Sequence, residues 1–131
     1  MIVLVLGEPP SKNQLYSPRK YGPGRRLRIS DAYKAWMEEA WVCSLGQPGG
    51  RQRISGPYSV RLEVSSQSRK DADGMLVPVL DFLVKRSITP DDKLCMHPEA
   101  VKLDSVPAGQ CRVIIDRWDG KNETSISVAS S

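Results

Sequence analysis

Between Tyr58 and Leu83 the apolar residues change period, and this switch constrains the fold more than any other feature of the chain. Tyr58, Val60, Leu62 and Val64 alternate with Ser59, Arg61 and Glu63, the period of two that marks a half-buried strand. A few residues later Leu76, Val79, Leu80 and Leu83 follow the i, i+3, i+4, i+7 spacing of one helical face. Pro78 lies inside that run, which predicts a helix that begins just before it or a distorted first turn. Upstream, Ile2–Leu6 are aliphatic throughout, as in a buried strand. Ser30 or Asp31 can cap a helix carrying Ala32, Ala35, Trp36, Glu39 and Ala40, which fades near Gly46. Lys93–Leu103 is weakly patterned and is expected to contain a strand, and Cys111–Trp118 reads as the last one. The order β-α-β-α-β-β predicts an α+β, α/β-like single domain with two main helices on one mixed sheet. It spans residues 1–118, with a polar tail, 119–131, expected to fray.

The chain has 131 residues with 40% hydrophobic and 26% charged side chains, an ordinary globular composition that excludes wholesale disorder. Its net charge of +4 is unevenly spread. From Lys12 to Ser30 there are six cations, Lys12, Arg19, Lys20, Arg25, Arg26 and Arg28, and no acid. Such a loop suits a phosphate backbone, and equally a solvated basic surface. Tyr16, Tyr21 and Tyr33 lie among or beside these cations and can stack on unpaired bases. Core packing is the stronger expectation for Tyr33 and Trp36. The segment is rich in Gly and Pro and reads as a mobile loop.

Three cysteines, Cys43, Cys95 and Cys111, form an odd set without CxxC spacing, which points away from a disulfide framework and toward a reducing cytoplasm. No apolar stretch reaches the roughly 20 residues of a membrane span, so no membrane partner is expected, and Asn122-Glu123-Thr124 is a chance glycosylation match. Cys95, His97 and Cys111 make a poor zinc set.

"RKDADGMLVPVLD", Arg69–Asp81, crowds Asp71 and Asp73 beside two cations, and Asp91 and Asp92 follow the helix. If the chain folds back, these carboxylates converge. Their repulsion is then relieved by a divalent cation, for which hard carboxylate oxygens are suited. The plainer reading keeps Asp73 as a helix cap and Asp71 as a surface partner of Arg69 or Lys70.

"PPSKNQLY", "RKDADGMLVPVLD" and "ITPDD", in this order and spacing, resemble the RusA family of Holliday-junction resolvases, often carried by phages and prophages. The resemblance implies a small homodimer needing Mg²⁺ or Mn²⁺ that nicks a four-way DNA junction symmetrically, in a bacterial or phage-encoded cytoplasmic setting. Carried over by position, Asp71, Asp73 and Asp92 would be the metal-binding catalytic carboxylates, with Asp91 and Asp81 as weaker neighbours. Lys12, Arg19, Lys20, Arg25, Arg26, Arg28, Arg69, Lys70 and Lys93 would contact DNA. Two positions depart from the family pattern. Gly74 stands where Asn is usual, and Val77 where a Lys is usual, with Lys70, Lys85 or Lys93 as possible substitutes. A branched-DNA-binding protein with weak or lost cleavage is the alternative that Val77 allows.

Overall fold

The computed structural model describes residues 1–18 and 27–119, and the side chains of residues 17, 18, 27 and 28 are outside that description. Among these residues six strands and two α-helices follow one another as β1 (Ile2–Gly7), β2 (Tyr16–Pro18), β3 (Leu27–Ile29), α1 (Asp31–Leu45), β4 (Tyr58–Ser65), α2 (Ala72–Lys85), β5 (Cys95–Leu103) and β6 (Gln110–Arg117). Four strands form one mixed sheet in the order β1-β6-β4-β5. β6 is antiparallel to both β1 and β4, and β5 runs parallel to β4. The parallel pair follows from its connection, because α2 carries the chain back along the sheet before β5 begins. A single α+β domain is thus what the two periodicities produce.

One face of the sheet holds the core. Leu4, Leu6, Tyr58, Val60, Leu62, Val64, Cys111, Val113 and Ile115 point inward and are almost fully buried. Both helices pack there: Trp36 of α1 meets Phe82 of α2 edge to face, with ring centroids 5.7 Å apart. The Trp36 indole also donates to the Gly7 carbonyl at 2.9 Å, tying α1 to the end of β1. Each such side chain contributes roughly 1.5–3 kcal/mol by leaving water. Tyr33 and Trp36 are core residues, as their helical spacing predicts.

Three local expectations change. Ile2–Leu6 is a half-buried edge strand rather than a fully buried one, since Val3 and Val5 face outward at 39% and 40% exposure. The outer side of its backbone is occupied by Gln47, whose amide accepts from Val5 N–H at 2.8 Å and donates to Val5 C=O at 2.6 Å, standing in for a neighbouring strand. Pro78 lies well inside α2, whose helical residues begin at Ala72. An interior proline costs a helix about 3 kcal/mol, and burial of Met75, Leu76, Pro78, Val79, Phe82 and Leu83 opposes that cost. Finally, the basic loop is entered and left through a short ribbon, with Tyr16 paired to Ile29 and Pro18 to Leu27. Gly- and Pro-rich composition concealed these three-residue strands. The expected mobile segment, with Arg19, Lys20, Tyr21, Arg25 and Arg26, lies outside the described residues, as do the Arg28 side chain and the tail from residue 120.

The outward face of the sheet carries an ion-pair lattice. Glu63 is only 8% exposed there. Arg61 and Arg112 each approach its carboxylate at 3.0 Å, and Arg61 reaches on to Glu99 at 3.1 Å. No helix among the described residues is long and apolar enough to cross a membrane.

Candidate functional site

α2 fixes where each suspected carboxylate goes. β4 ends at Ser65, and a short polar turn leads into the helix, with Asp71 at its N-cap position and Asp73 in its first turn. The helix then runs back along the sheet, and the chain re-enters it beside the start of β4, where Tyr58 is aligned with Cys95. Asp91 and Asp92 lie at that second end: the Tyr58 hydroxyl donates to the Asp91 carbonyl at 3.3 Å. Fourteen helical residues separate the two ends, a length of roughly 21 Å at about 1.5 Å per residue. The chain does not fold back to bring Asp92 to Asp71 and Asp73, so the single site expected of the three is not assembled within one chain. Among the described residues no group of three His, Cys, Asp or Glu side chains is placed to hold a metal ion.

At the N-terminal end of α2 the plainer roles for the acids are also not seen. Asp71 occupies the N-cap position but its side chain makes no capping hydrogen bond. Neither Asp71 nor Asp73 forms an ion pair among the described residues. Lys70, the expected surface partner, turns away to Glu8, 3.3 Å from its carboxylate, and donates to the Pro9 carbonyl at 3.2 Å. Arg69 and Lys12 are exposed and unpaired with any carboxylate among the described residues.

The tertiary structure joins two of the three segments that carry the family resemblance. Pro9 and Pro10 are buried, and the short 3-10 turn Lys12–Gln14 packs across the start of α2. A Cβ added at Gly74 would lie 3.5 Å from the Lys12 amide nitrogen. Two uncommitted carboxylates and several cations from three parts of the chain therefore share this end of the helix. One cation there escaped sequence reading. Lys102, near the end of β5, donates from Nζ to the Ser68 carbonyl at 2.9 Å. It sits in a weak strand pattern, aligned with the inward-facing Val64, and no linear signal marks it.

The opposite end is an acid pair. Asp91 caps the short turn Asp92–Leu94 by accepting from the Lys93 amide at 3.1 Å. That backbone hydrogen bond, followed by one with Asp92, holds the Asp91 carboxyl below its ordinary range. Asp92 is displaced the other way, above its ordinary value, chiefly by its hydrogen bond with Asp91. Lys93 belongs to this end as well.

Along α2 between the two ends, Val77 is 48% exposed and Leu80 and Val84 are half-buried. Asp81 is not a ligand in waiting: it accepts a hydrogen bond from the Tyr33 hydroxyl and pairs with Lys85 at 3.2 Å. Burial, reinforced by Asp81, keeps the Tyr33 phenol protonated far above its usual range. Cys95 and Cys111 align with Tyr58 and Val64, toward opposite ends of β4, and His97 stacks on Trp118, so the poor zinc set is dispersed. Burial pushes the Cys111 thiol up to about 12.

As donors, Asp71 and Asp73 suit Mg²⁺, which commonly takes one or two carboxylates and completes its shell with water and substrate phosphate. No protein-family model matches this chain, and no curated protein matches it in sequence.

Proposed function

We propose that this protein is a Mg²⁺- or Mn²⁺-dependent endonuclease selective for four-way or branched DNA, acting as a homodimer. The observation that carries the reading is the end of α2 where Asp71 and Asp73 stand without ion-pair partners among the described residues, at the same helix end as Lys12 and Arg69. Like charges left uncommitted next to cations suit a site that receives both a metal ion and a phosphate chain. A divalent ion held there supplies Lewis-acid polarisation of the phosphodiester and a water of lowered pKa. The chain's own part is to hold that ion through Asp71 and Asp73, and to grip the strand through Lys12 and Arg69. The cations between Tyr16 and Ile29 in the sequence add positive charge suited to a phosphate backbone.

A second copy gives Asp92 a place in this scheme. Val77, Leu80 and Val84 make an apolar stripe along α2. Two helices packed antiparallel on it would set Asp71 and Asp73 of one copy against Asp91 and Asp92 of the other. Two equivalent sites result, as paired nicks in a two-fold junction require.

The alternative is a branched-DNA-binding protein with weak or lost cleavage, which Val77 favours because it brings neither charge nor donor. A synthetic four-way junction titrated with Mg²⁺ separates the two. Symmetric nicks that fall by orders of magnitude in Asp71→Asn, Asp73→Asn or Asp92→Asn, with binding retained, support the endonuclease. A salt-sensitive shift without nicks supports the binder. No shift at low salt removes both.

A further inference from the structure

Two carboxylates at one helix end repel a phosphate, and a cation placed beside them offsets that repulsion. None of the substitutes named from sequence is free at the Asp71 end. Lys70 is engaged by Glu8 and the Pro9 carbonyl. Lys85 is paired with Asp81 in the last turn of α2. Lys93 sits at the far end beside Asp91.

Lys102 supplies such a cation from a strand instead. The parallel register aligns it with Val64, one residue before β4 ends, so it stands where the chain leaves the sheet for α2. Its ammonium is anchored 2.9 Å from the Ser68 carbonyl, three residues before Asp71. It has no ion pair with a carboxylate among the described residues, and its side chain is exposed. An ammonium has three donors. One is used on Ser68, leaving two for a phosphate, and the anchor has already removed part of the rotamer freedom that binding would otherwise cost.

Resting on the endonuclease reading, we propose that Lys102 is a further phosphate-holding cation of the Asp71–Asp73 end, beside Lys12 and Arg69. It binds a non-bridging oxygen of a nucleic-acid phosphodiester and offsets the repulsion between that phosphate and the two carboxylates. The interaction is with the backbone and carries no base preference.

The experiment measures junction affinity across a salt series, and nicking kcat and KM in Mg²⁺, for the parent, Lys102→Gln and Lys102→Arg. Thermal unfolding is followed in parallel. The expected result for Lys102→Gln is about tenfold weaker binding to every DNA sequence, as for removal of a charged hydrogen bond. The slope of log affinity against log salt should be shallower by about 0.9 for each phosphate no longer neutralised. Lys102→Arg restores the slope. If the Gln variant does not fold, Lys102→Met keeps the aliphatic stem and is read in the same way. A folded Lys102→Gln or Lys102→Met with the parental slope and nicking rate overturns this role while leaving the endonuclease reading intact. A parent that neither binds nor nicks branched DNA overturns both.

Discussion

Gly74, in the first turns of α2, lies directly beneath the backbone of Lys12: a Cβ built on it would meet the Lys12 amide nitrogen at 3.5 Å and Lys12 Cγ at 3.6 Å. These are ordinary van der Waals separations, and no other atom crowds the position more closely. Glycine inside a helix costs roughly 0.5–1 kcal/mol relative to alanine. Gly74→Ala should therefore stabilise the protein by about that amount in urea unfolding. A drop in stability would mean that the Lys12 turn packs more tightly on α2 than these distances indicate.

Tyr33 and Asp81 tie the two helices together through a hydroxyl–carboxylate hydrogen bond. Tyr33→Phe keeps the packing and removes the donor, while Lys85 still balances Asp81. The expected cost is about 1 kcal/mol, within the net range for one hydrogen bond at a partly exposed acceptor, and denaturant midpoints at constant m-value would measure it.

Gly50 behaves in the opposite way to Gly74. A Cβ there would fall 1.8 Å from the Ser44 carbonyl oxygen, backbone against backbone. Its own carbonyl accepts from Arg86 at 2.9 Å, and Arg86 also stacks over Trp41. Gly50→Ala must shift the chain that follows α1, loosening the hold of Arg86 and the Gln47 cover of β1. Overpacking of this kind costs about 1–3 kcal/mol or more. A variant with parental melting temperature would show that the turn relaxes freely.

Asp91 and Asp92 should titrate as a pair. Asp91→Asn removes the neighbour that holds the Asp92 carboxyl above its ordinary range, so Asp92 should lose its proton at lower pH in a carboxyl NMR titration. In the parent, Asp92 keeps its proton to higher pH than Asp91. Acidification therefore sets that proton against any divalent cation at the pair, and cation affinity should fall as pH falls through the raised Asp92 value. An Asp92 midpoint indifferent to Asp91→Asn would break the coupling.

Val77 offers a gain-of-function test. It lies one turn beyond Asp73 and is 48% exposed in the single chain, so a lysine there costs the fold little, and light scattering must show that the proposed dimer on the α2 stripe persists in the variant. If the proposed reaction is limited by a missing cation, Val77→Lys should raise nicking by up to about a hundredfold, the scale of one preorganised electrostatic interaction of ~3 kcal/mol. A folded variant that cuts no faster than the parent would show that the position does not limit the rate, the outcome expected if Lys102 already fills the role.

Strands with one wet face and helices with one buried face write their period into the chain, and those elements were legible. β4 falls where Tyr58–Val64 puts it, the inward stripe of α2 keeps Leu76, Val79 and Leu83 with Leu80 half-buried at its edge, α1 begins after its Ser30 cap, and β6 lies within a residue of Cys111–Trp118. Their order is that of an α+β domain. β5 was faint because an edge strand need not alternate: His97, Pro98 and Lys102 are tolerated where one side is unpaired. What the residues could not tell was whether the chain folds back to bring the carboxylates at the two ends of α2 together. A helix of roughly 21 Å joins Asp71 and Asp73 to the segment that carries Asp92, and its rigidity holds the two ends apart. Nor does the sequence show that Lys70 is spent on Glu8 while Lys102, more than thirty residues away, reaches Ser68. Such pairings arise from the parallel alignment of β4 with β5, a long-range choice that no local pattern encodes. The chemistry available was thus written in the residues, and its grouping was decided by the path of the chain through the sheet.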